Sequence, residues 1–303
     1  MSVKAFTFQR GDEVTGIGVL WHGQAYDFSL AWEAFKNLEA QGRGPSLQFL
    51  QVMIELGFFE LATFTEVMQA LERRRLLEEF RLQDGYGIGL PVARPQKILC
   101  LGRNYQEHAE EWGAEVPEEP IVFAKLPSAL LPPGGTILLP SGIGSVEHEV
   151  ELAVIVGKQG RNIAPEDAWD YVAGYTIVND ITARDLQLKD FERRWPWLRS
   201  KSFDTFCPMG PYVVPRDVFS RAVDLRLELR VNGEVRQRAR TSQMVYDIPT
   251  VLAFISRWAT LYPGDILCMG TPAGTGPLRP GDLVEAEIEG IGVLTNRVAL
   301  RRE

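Results

Sequence analysis

One run of the chain reads as a buried strand that carries charge into the core: Glu149-Val-Glu-Leu-Ala-Val-Ile-Val156. Side chains alternate along a strand, so Glu149 and Glu151 share a face with Ala153 and Ile155, while Val150, Leu152 and Val154 take the other. A solvent-facing strand would keep polar residues along the whole of one face. Here the polar pair stands at the edge of a burying face, where two carboxylates repel each other unless positive charge lies between them. A second run repeats the situation. Tyr175-Thr-Ile-Val-Asn-Asp180 ends on a carboxylate that shares a strand face with Thr176 and Val178.

Two readings fit this spacing. In one, Glu149 and Glu151 pair with arginines across a sheet, and Asp180 caps the next turn. In the other, the three carboxylates converge on one divalent cation. Oxygen donors with no Cys and little His nearby suit Mg²⁺ or Mn²⁺, with Ca²⁺ a further candidate, rather than zinc. Three protein ligands would leave octahedral positions for water and substrate.

The surrounding pattern is β-rich α+β. Residues 1–93 form a small N-terminal α/β unit: strands at Lys4–Gln9, Gly16–Trp21 and Gln24–Phe28, then helices at Leu30–Leu38, Pro45–Leu56 and Thr65–Arg81. Gly and Pro concentrate between Gln83 and Pro95, which places a domain boundary there and assigns 94–303 to a second, larger unit. Strands dominate the latter: Lys97–Leu101, Ile121–Ala124, Thr136–Leu139, Val150–Val156, Tyr175–Val178 and Asp265–Met269. Hairpins are expected across Asn232-Gly233, between Leu225–Val231 and Glu234–Arg238, and near the C-terminus, between Asp282–Ile288 and Gly292–Val298. One good helix, Ile248–Leu261, interrupts them. Strands with few intervening helices argue against a doubly wound parallel sheet.

A formal charge of −8 leaves no basic stripe for nucleic acid. The cluster Arg73-Arg74-Arg75 is flanked by Glu72, Glu78 and Glu79 and reads as a solvated, ion-paired helix face. No apolar run reaches the ~18 residues that span a bilayer, and the N-terminus does not have the form of a signal peptide, so no membrane partner and a cytoplasmic location are expected. Cys100, Cys207 and Cys268 lie far apart in apolar surroundings without CxxC spacing; buried free thiols are the plain expectation.

Asn104-Tyr-Gln-Glu107 has the form of a capping box, and Gly113 would end the helix it starts. His108 and Glu111 then stand at i and i+3, within reach of each other. An imidazole with an ordinary pKa of about 6.5 suits a general base at neutral pH, although an incidental pair on a surface helix has the same spacing. His148, beside Glu149, falls on the opposite face and reads as structural. Lys201 lies in Arg199-Ser-Lys-Ser-Phe203, in a chain where Arg far outnumbers Lys; a lone Lys is usually solvated. Gly270-Thr-Pro-Ala-Gly-Thr-Gly276 lacks the Lys-Ser/Thr ending of a phosphate loop, and Pro277 to Gly281 cannot open a helix. Thr271 would instead offer its hydroxyl or backbone N–H to a substrate carboxylate.

The stretches Ser145–Gly157, Gly174–Gln187 and Lys201-Ser-Phe203, with Gly270–Gly274 and Gly102-Arg-Asn-Tyr-Gln-Glu-His108, resemble the fumarylacetoacetate hydrolase family in content and order. The likeness spans roughly Lys97 to the C-terminus, and the N-terminal unit resembles an accessory domain carried by many bacterial members. The resemblance implies a β-roll, mixed-sheet core, a homodimer, and Mg²⁺ or Mn²⁺ on Glu149, Glu151 and Asp180. It implies a base at His108 oriented by Glu111, and Lys201 as an oxyanion or proton-donating group. It also implies substrate contacts from Arg103, Arg184, Gln187 and Thr271, with Arg184 clamping a carboxylate. Residues Leu188–Leu198, with Trp195-Pro-Trp197, would form a lid, with Phe191 where some hydrolases of the family have Tyr. The implied activity is hydrolysis of a C–C bond in an acylpyruvate-like 2-oxo acid, a small anionic substrate. A 2-hydroxyhepta-2,4-diene-1,7-dioate or 5-carboxymethyl-2-hydroxymuconate isomerase, a decarboxylase such as one acting on oxaloacetate, and a non-catalytic ligand-binding module are the alternatives.

Overall fold

The structure, a computed structural model, describes residues 3–11, 13–38, 44–111, 113–219, 221 and 223–302. The apolar runs assemble into three sheets. Across the main path of the eleven-stranded sheet the order is Gln24–Asp27, Glu13–Trp21, Lys4–Arg10, Cys207–Pro215, Val172–Asn179, Val150–Val156, Ile266–Cys268, Ile98–Gly102 and Ile121–Lys125. Neighbours on this path run antiparallel except Ile266–Cys268 beside Ile98–Gly102. A five-stranded sheet holds Glu234–Arg240, Arg226–Val231, Leu283–Ile288, Gly292–Leu300 and Thr136–Leu139, and a three-stranded one holds Thr182–Ala183, Val146–His148 and Gly276–Pro277. This is the strand-rich α+β mixture expected.

Val150–Val156 forms with the expected bounds and lies inside the large sheet, with every residue buried. Its neighbour is longer than expected, Val172–Asn179, and equally buried. Their register pairs Val150 with Asn179 and Glu151 with Val178. Asp180 is therefore delivered to Glu149, whose carbonyl accepts from the Asp180 N–H at 2.8 Å. Two side chains that stand 31 positions apart in the chain become neighbours through that register alone.

Both expected hairpins form. At Asn232-Gly233 both residues adopt positive φ, +53° and +82°, the backbone that a two-residue turn between right-twisted strands needs and that Asn-Gly adopts readily. The helices differ more. Pro45–Leu56 shrinks to Leu50–Glu55. The Pro45 carbonyl instead accepts from the Trp32 indole and from Lys36 Nζ, which holds this stretch out of a helix. The expected Thr65–Arg81 helix becomes Leu61–Arg73, followed by a 3₁₀ turn at Leu77–Phe80. Arg75 stands at φ +60° between them, a left-handed conformation that an α-helix cannot continue through. The last helix, Ile248–Ser256, ends before Leu261, and Asp247 caps its start, its side chain accepting from the Thr250 N–H at 2.9 Å.

Residues 83–95 are irregular apart from a short pairing of Gly87–Ile88 with Lys4–Arg10. The strands on the two sides of this segment nevertheless join one sheet, through Ala5 opposite Val213, and one hydrophobic cluster runs through both regions. All three cysteines are free and buried. Among the described residues no helix is long and apolar enough to cross a membrane.

Ile177 is fully buried between Leu152 and Gly210. Ile177→Ala should cost about 2–5 kcal/mol in denaturant unfolding. Leu30→Ala, at a side chain 58% exposed, should stay within about 0.5 kcal/mol. Equal losses for the two would show that the buried strand pair does not carry the fold.

Candidate active site

Glu149 occupies the single residue between the strands Val146–His148 and Val150–Val156, and its N–H donates to Asn179 Oδ1 at 2.9 Å. Its Oε1 accepts from Arg184 Nη2 at 2.5 Å and its Oε2 from Lys201 Nζ at 2.8 Å. Glu151 Oε2 accepts from the Gly270 N–H at 2.8 Å. Asp180 takes an ammonium on each oxygen: Lys125 on Oδ1 at 2.5 Å and Lys201 on Oδ2 at 2.6 Å. All three carboxylates are buried, and an oxygen from each lies within 4.8 Å of the others.

Burial alone would raise the Glu149 carboxyl, but Lys201 and Arg184 outweigh it and hold this group well below the usual carboxylate range. Glu151 goes the other way. Burial, then the charges of Asp180 and Glu149, push it well above that range. Lys201 is driven upward: its burial is outweighed by Asp180 and Glu149. With Glu147, which accepts from Arg184 Nε at 2.8 Å, four buried carboxylates face three buried cations, Lys125, Arg184 and Lys201. The raised Glu151 is the mark of that negative excess. A hard divalent cation would relieve it, and the donor set is all oxygen, so the residues present fit Mg²⁺ or Mn²⁺.

The helix that carries the His–Glu pair starts later than the capping box implied, at Gln106. Asn104 is no cap. Its side chain donates to the carbonyls of Tyr246 and Met269 and accepts from the Tyr246 N–H, tying together two loops beside the site. Tertiary partners have taken the atoms that a cap would use. Gly113 does end the helix, at φ +60° with its N–H on the Glu110 carbonyl. His108 is 8% exposed, with Nδ1 at 3.3 Å from Glu111 Oε2. Both Glu111 oxygens also accept from the Gly274 N–H. Gly274 stands at φ +93°, where a Cβ would meet the Arg236 carbonyl at 2.2 Å, so this close approach requires glycine. A proton on Nδ1 toward Glu111 leaves Nε2 as the basic nitrogen. Burial lowers the imidazole from its ordinary value, against the opposing charge of Glu149 and the Glu111 contact, and keeps it neutral at pH 7.

A cavity of about 150 Å³ collects Arg103, His108, Glu149, Glu151, Arg184, Gln187, Lys201 and Thr271. Leu101, Phe123 and Trp197 contribute apolar wall, and Leu188 and Phe191 come from the helix Arg184–Glu192. Lys201 ends the short helix Leu198–Lys201, with its ammonium 4.8 Å from the Phe123 ring centre. Arg103, at φ +57°, lies over Phe191, which is 55% exposed. Arg184 lines the cavity, but the carboxylates it clamps here are protein ones, Glu147 and Glu149, and Nη1 donates to Gln187. The Thr271 hydroxyl is also engaged, donating to the Val150 carbonyl and accepting from Gln237. His148 is buried outside the cavity lining, against Gln237, as a structural residue would be.

Three participants have no counterpart among the residues singled out from the sequence: Lys125, Glu147 and Gln237. Lys125 had a signal, a lysine closing the apolar run Ile121-Val-Phe-Ala. Gln237 had none, since it lies on a mostly exposed, arginine-rich strand and reaches the site only through sheet packing.

In the base role expected of it, His108 must be neutral to act. His108 is neutral above a folded-state value that lies below 6.5, so kcat/KM should be full at neutral pH and fall as the pH drops through that lowered value. A pH–rate profile reads this, and an acid limb centred above 6.5 would contradict it. His108→Gln should lower kcat/KM by about 10²–10⁴-fold while Mn²⁺ binding persists.

Residues 97–299 match the model of a protein family described as fumarylacetoacetate (FAA) hydrolase C-terminal. The chain is 43% identical over 215 residues to the mitochondrial oxaloacetate tautomerase Fahd2a of Rattus norvegicus, covering 69% of this chain and 68% of that protein. A solved fumarylacetoacetate hydrolase from psychrophilic Exiguobacterium antarcticum superposes with a TM-score of 0.80 at 34% identity, over 99% of this chain and 100% of that one. A 5-carboxymethyl-2-hydroxymuconate delta-isomerase from Mycobacterium smegmatis does so with 0.65 at 39% identity, over 72% and 81%.

Proposed function

We propose that this chain, which belongs to the fumarylacetoacetate hydrolase family, is a divalent-cation-dependent enzyme that moves a proton at the carbon next to the 2-oxo group of a small 2-oxo acid, as a keto–enol tautomerase or double-bond isomerase. The observation that carries this reading is the buried, neutral His108, oriented by Glu111, in the same cavity as Glu149 and Glu151, with the Asp180 carboxylate clustered behind them. Mg²⁺ or Mn²⁺ held by Glu149, Glu151 and Asp180 would act as a Lewis acid toward the oxygens of the 2-oxo acid.

The remaining chemistry belongs to the chain. His108 Nε2 carries the proton between carbon 3 and the 2-oxo oxygen, or in an extended dienol from that oxygen to the distal carbon, so each bond to hydrogen broken is matched by one formed. The Lys201 ammonium stands in the cavity to meet the negative charge that develops on the substrate oxygens. Gln187 and the Thr271 N–H orient the substrate, while Leu101, Phe123 and Trp197 keep bulk water from the base. Arg184 fixes Glu149 and Gln187. Residues 1–93 contribute nothing to the cavity lining, so in this reading they are an accessory unit and 94–303 carry the catalysis. The names of the rat tautomerase and the mycobacterial isomerase support proton transfer as the reaction class.

A second reading, C–C hydrolysis of an acylpyruvate, is favoured by the whole-chain likeness to the Exiguobacterium enzyme. In it His108 would deprotonate a water instead of carbon 3. The two part in one experiment: the purified protein with Mg²⁺ is given enol-oxaloacetate, 5-carboxymethyl-2-hydroxymuconate or acetylpyruvate in D₂O and followed by proton NMR. Deuterium at the carbon that gains the proton, carbon 3 of oxaloacetate or the distal carbon of the muconate, without chain cleavage is expected. Cleavage to two acids without prior exchange would favour hydrolysis, and the absence of both from a metal-loaded protein would overturn the enzymatic reading. Glu151→Gln should lower turnover by at least about 100-fold, and full activity in that variant would refute the site.

A further inference from the structure

We infer that Lys125, a residue outside the cavity, makes Asp180 a one-oxygen ligand and thereby tunes the site to small octahedral cations over Ca²⁺. This inference rests on the metal reading above and deepens it.

Each of the three carboxylates has one oxygen held by a donor of the scaffold. Arg184 Nη2 holds Glu149 Oε1, the Gly270 N–H holds Glu151 Oε2, and Lys125 Nζ holds Asp180 Oδ1. The oxygen left to a cation is in each case the other one. For Glu149 and Asp180 these are the oxygens that the Lys201 ammonium reaches, at 2.8 and 2.6 Å.

The two lysines on Asp180 differ in kind. Lys201 lines the cavity; Lys125 does not. Lys125 is 2% exposed, at the end of the strand Ile121–Lys125, and a second bond from its ammonium to the Ile181 carbonyl at 3.1 Å fixes it in place. A group so placed touches no substrate, so its role is positioning: it denies Oδ1 to the ion. Ca²⁺ takes six to eight oxygens and commonly both oxygens of a carboxylate, whereas Mg²⁺ keeps to six in a tight octahedron, one from each ligand. Three carboxylates with one oxygen each restrained supply three ligand atoms, which suits the smaller ion.

The test is direct binding, with no substrate present. Mn²⁺ is titrated into the full chain and its free signal read by electron paramagnetic resonance, and Ca²⁺ is then added as competitor. Wild-type protein should hold Mn²⁺ at least about tenfold more tightly than Ca²⁺. In Lys125→Met, where the second oxygen of Asp180 is released, that preference should fall by about tenfold or more, whatever happens to the absolute affinities. An unchanged preference in a folded Lys125→Met protein overturns the inference. Should that variant not fold, the wild-type ratio still decides, since Ca²⁺ binding as tightly as Mn²⁺ is equally fatal. If wild-type protein binds no Mn²⁺ at all, the metal reading itself fails and this inference with it; a failure confined to the selectivity leaves that reading standing.

Discussion

Four carboxylates buried against three cations are the constraint around which the site is organised. Charged groups leave water only when paired and hydrogen-bonded, and here nearly every polar contact serves that need. Arg184 spans Glu147 and Glu149, Lys201 spans Glu149 and Asp180, and Lys125 closes Asp180 from behind. The pairing is one charge short, and Glu151 bears the shortfall. A protein would not keep such an excess in its interior for stability, because well-packed apolar residues of similar volume would do as well or better. In the proposed reading the fourth carboxyl, kept protonated by its neighbours until a cation arrives, is there to receive that cation.

The scaffold answers to the same constraint. The two strands that present the carboxylates are buried along their whole length and lie inside the large sheet, so their ends are held by register rather than by loop geometry. The loop Gly270–Gly274 serves two ends at once. Its first N–H holds Glu151, and its last holds Glu111, which in turn orients His108. Glu151 and the His108–Glu111 pair are thus tied to one short segment, which keeps their separation fixed.

Much of this was legible in the sequence because it depends on period and burial. Alternation placed Glu149 and Glu151 on one strand face, an apolar run ending on Asp180 supplied the third carboxylate, and the i,i+3 spacing joined His108 to Glu111. The family likeness, read from the motifs, agrees with the match over residues 97–299. What was not legible depends on distant partners. Asn104 looked like a helix cap but is claimed by the Tyr246 and Met269 carbonyls. Arg184 lines the cavity as expected of a substrate-side residue, but its ion pairs with Glu147 and Glu149 were not foreseen. Gln237 acts across sheets, and local pattern carries no trace of that. Helix ends at Pro45 and Arg75 were missed for the same reason, since side-chain capture of a carbonyl and a single left-handed residue leave propensity unchanged.

The most direct measurement is anomalous diffraction at the manganese edge from crystals of the protein soaked in Mn²⁺. One peak is expected per chain, about 2.1 Å from one oxygen each of Glu149, Glu151 and Asp180. Ordered carboxylates with no peak between them, or a peak bound elsewhere on the chain, would contradict the central claim.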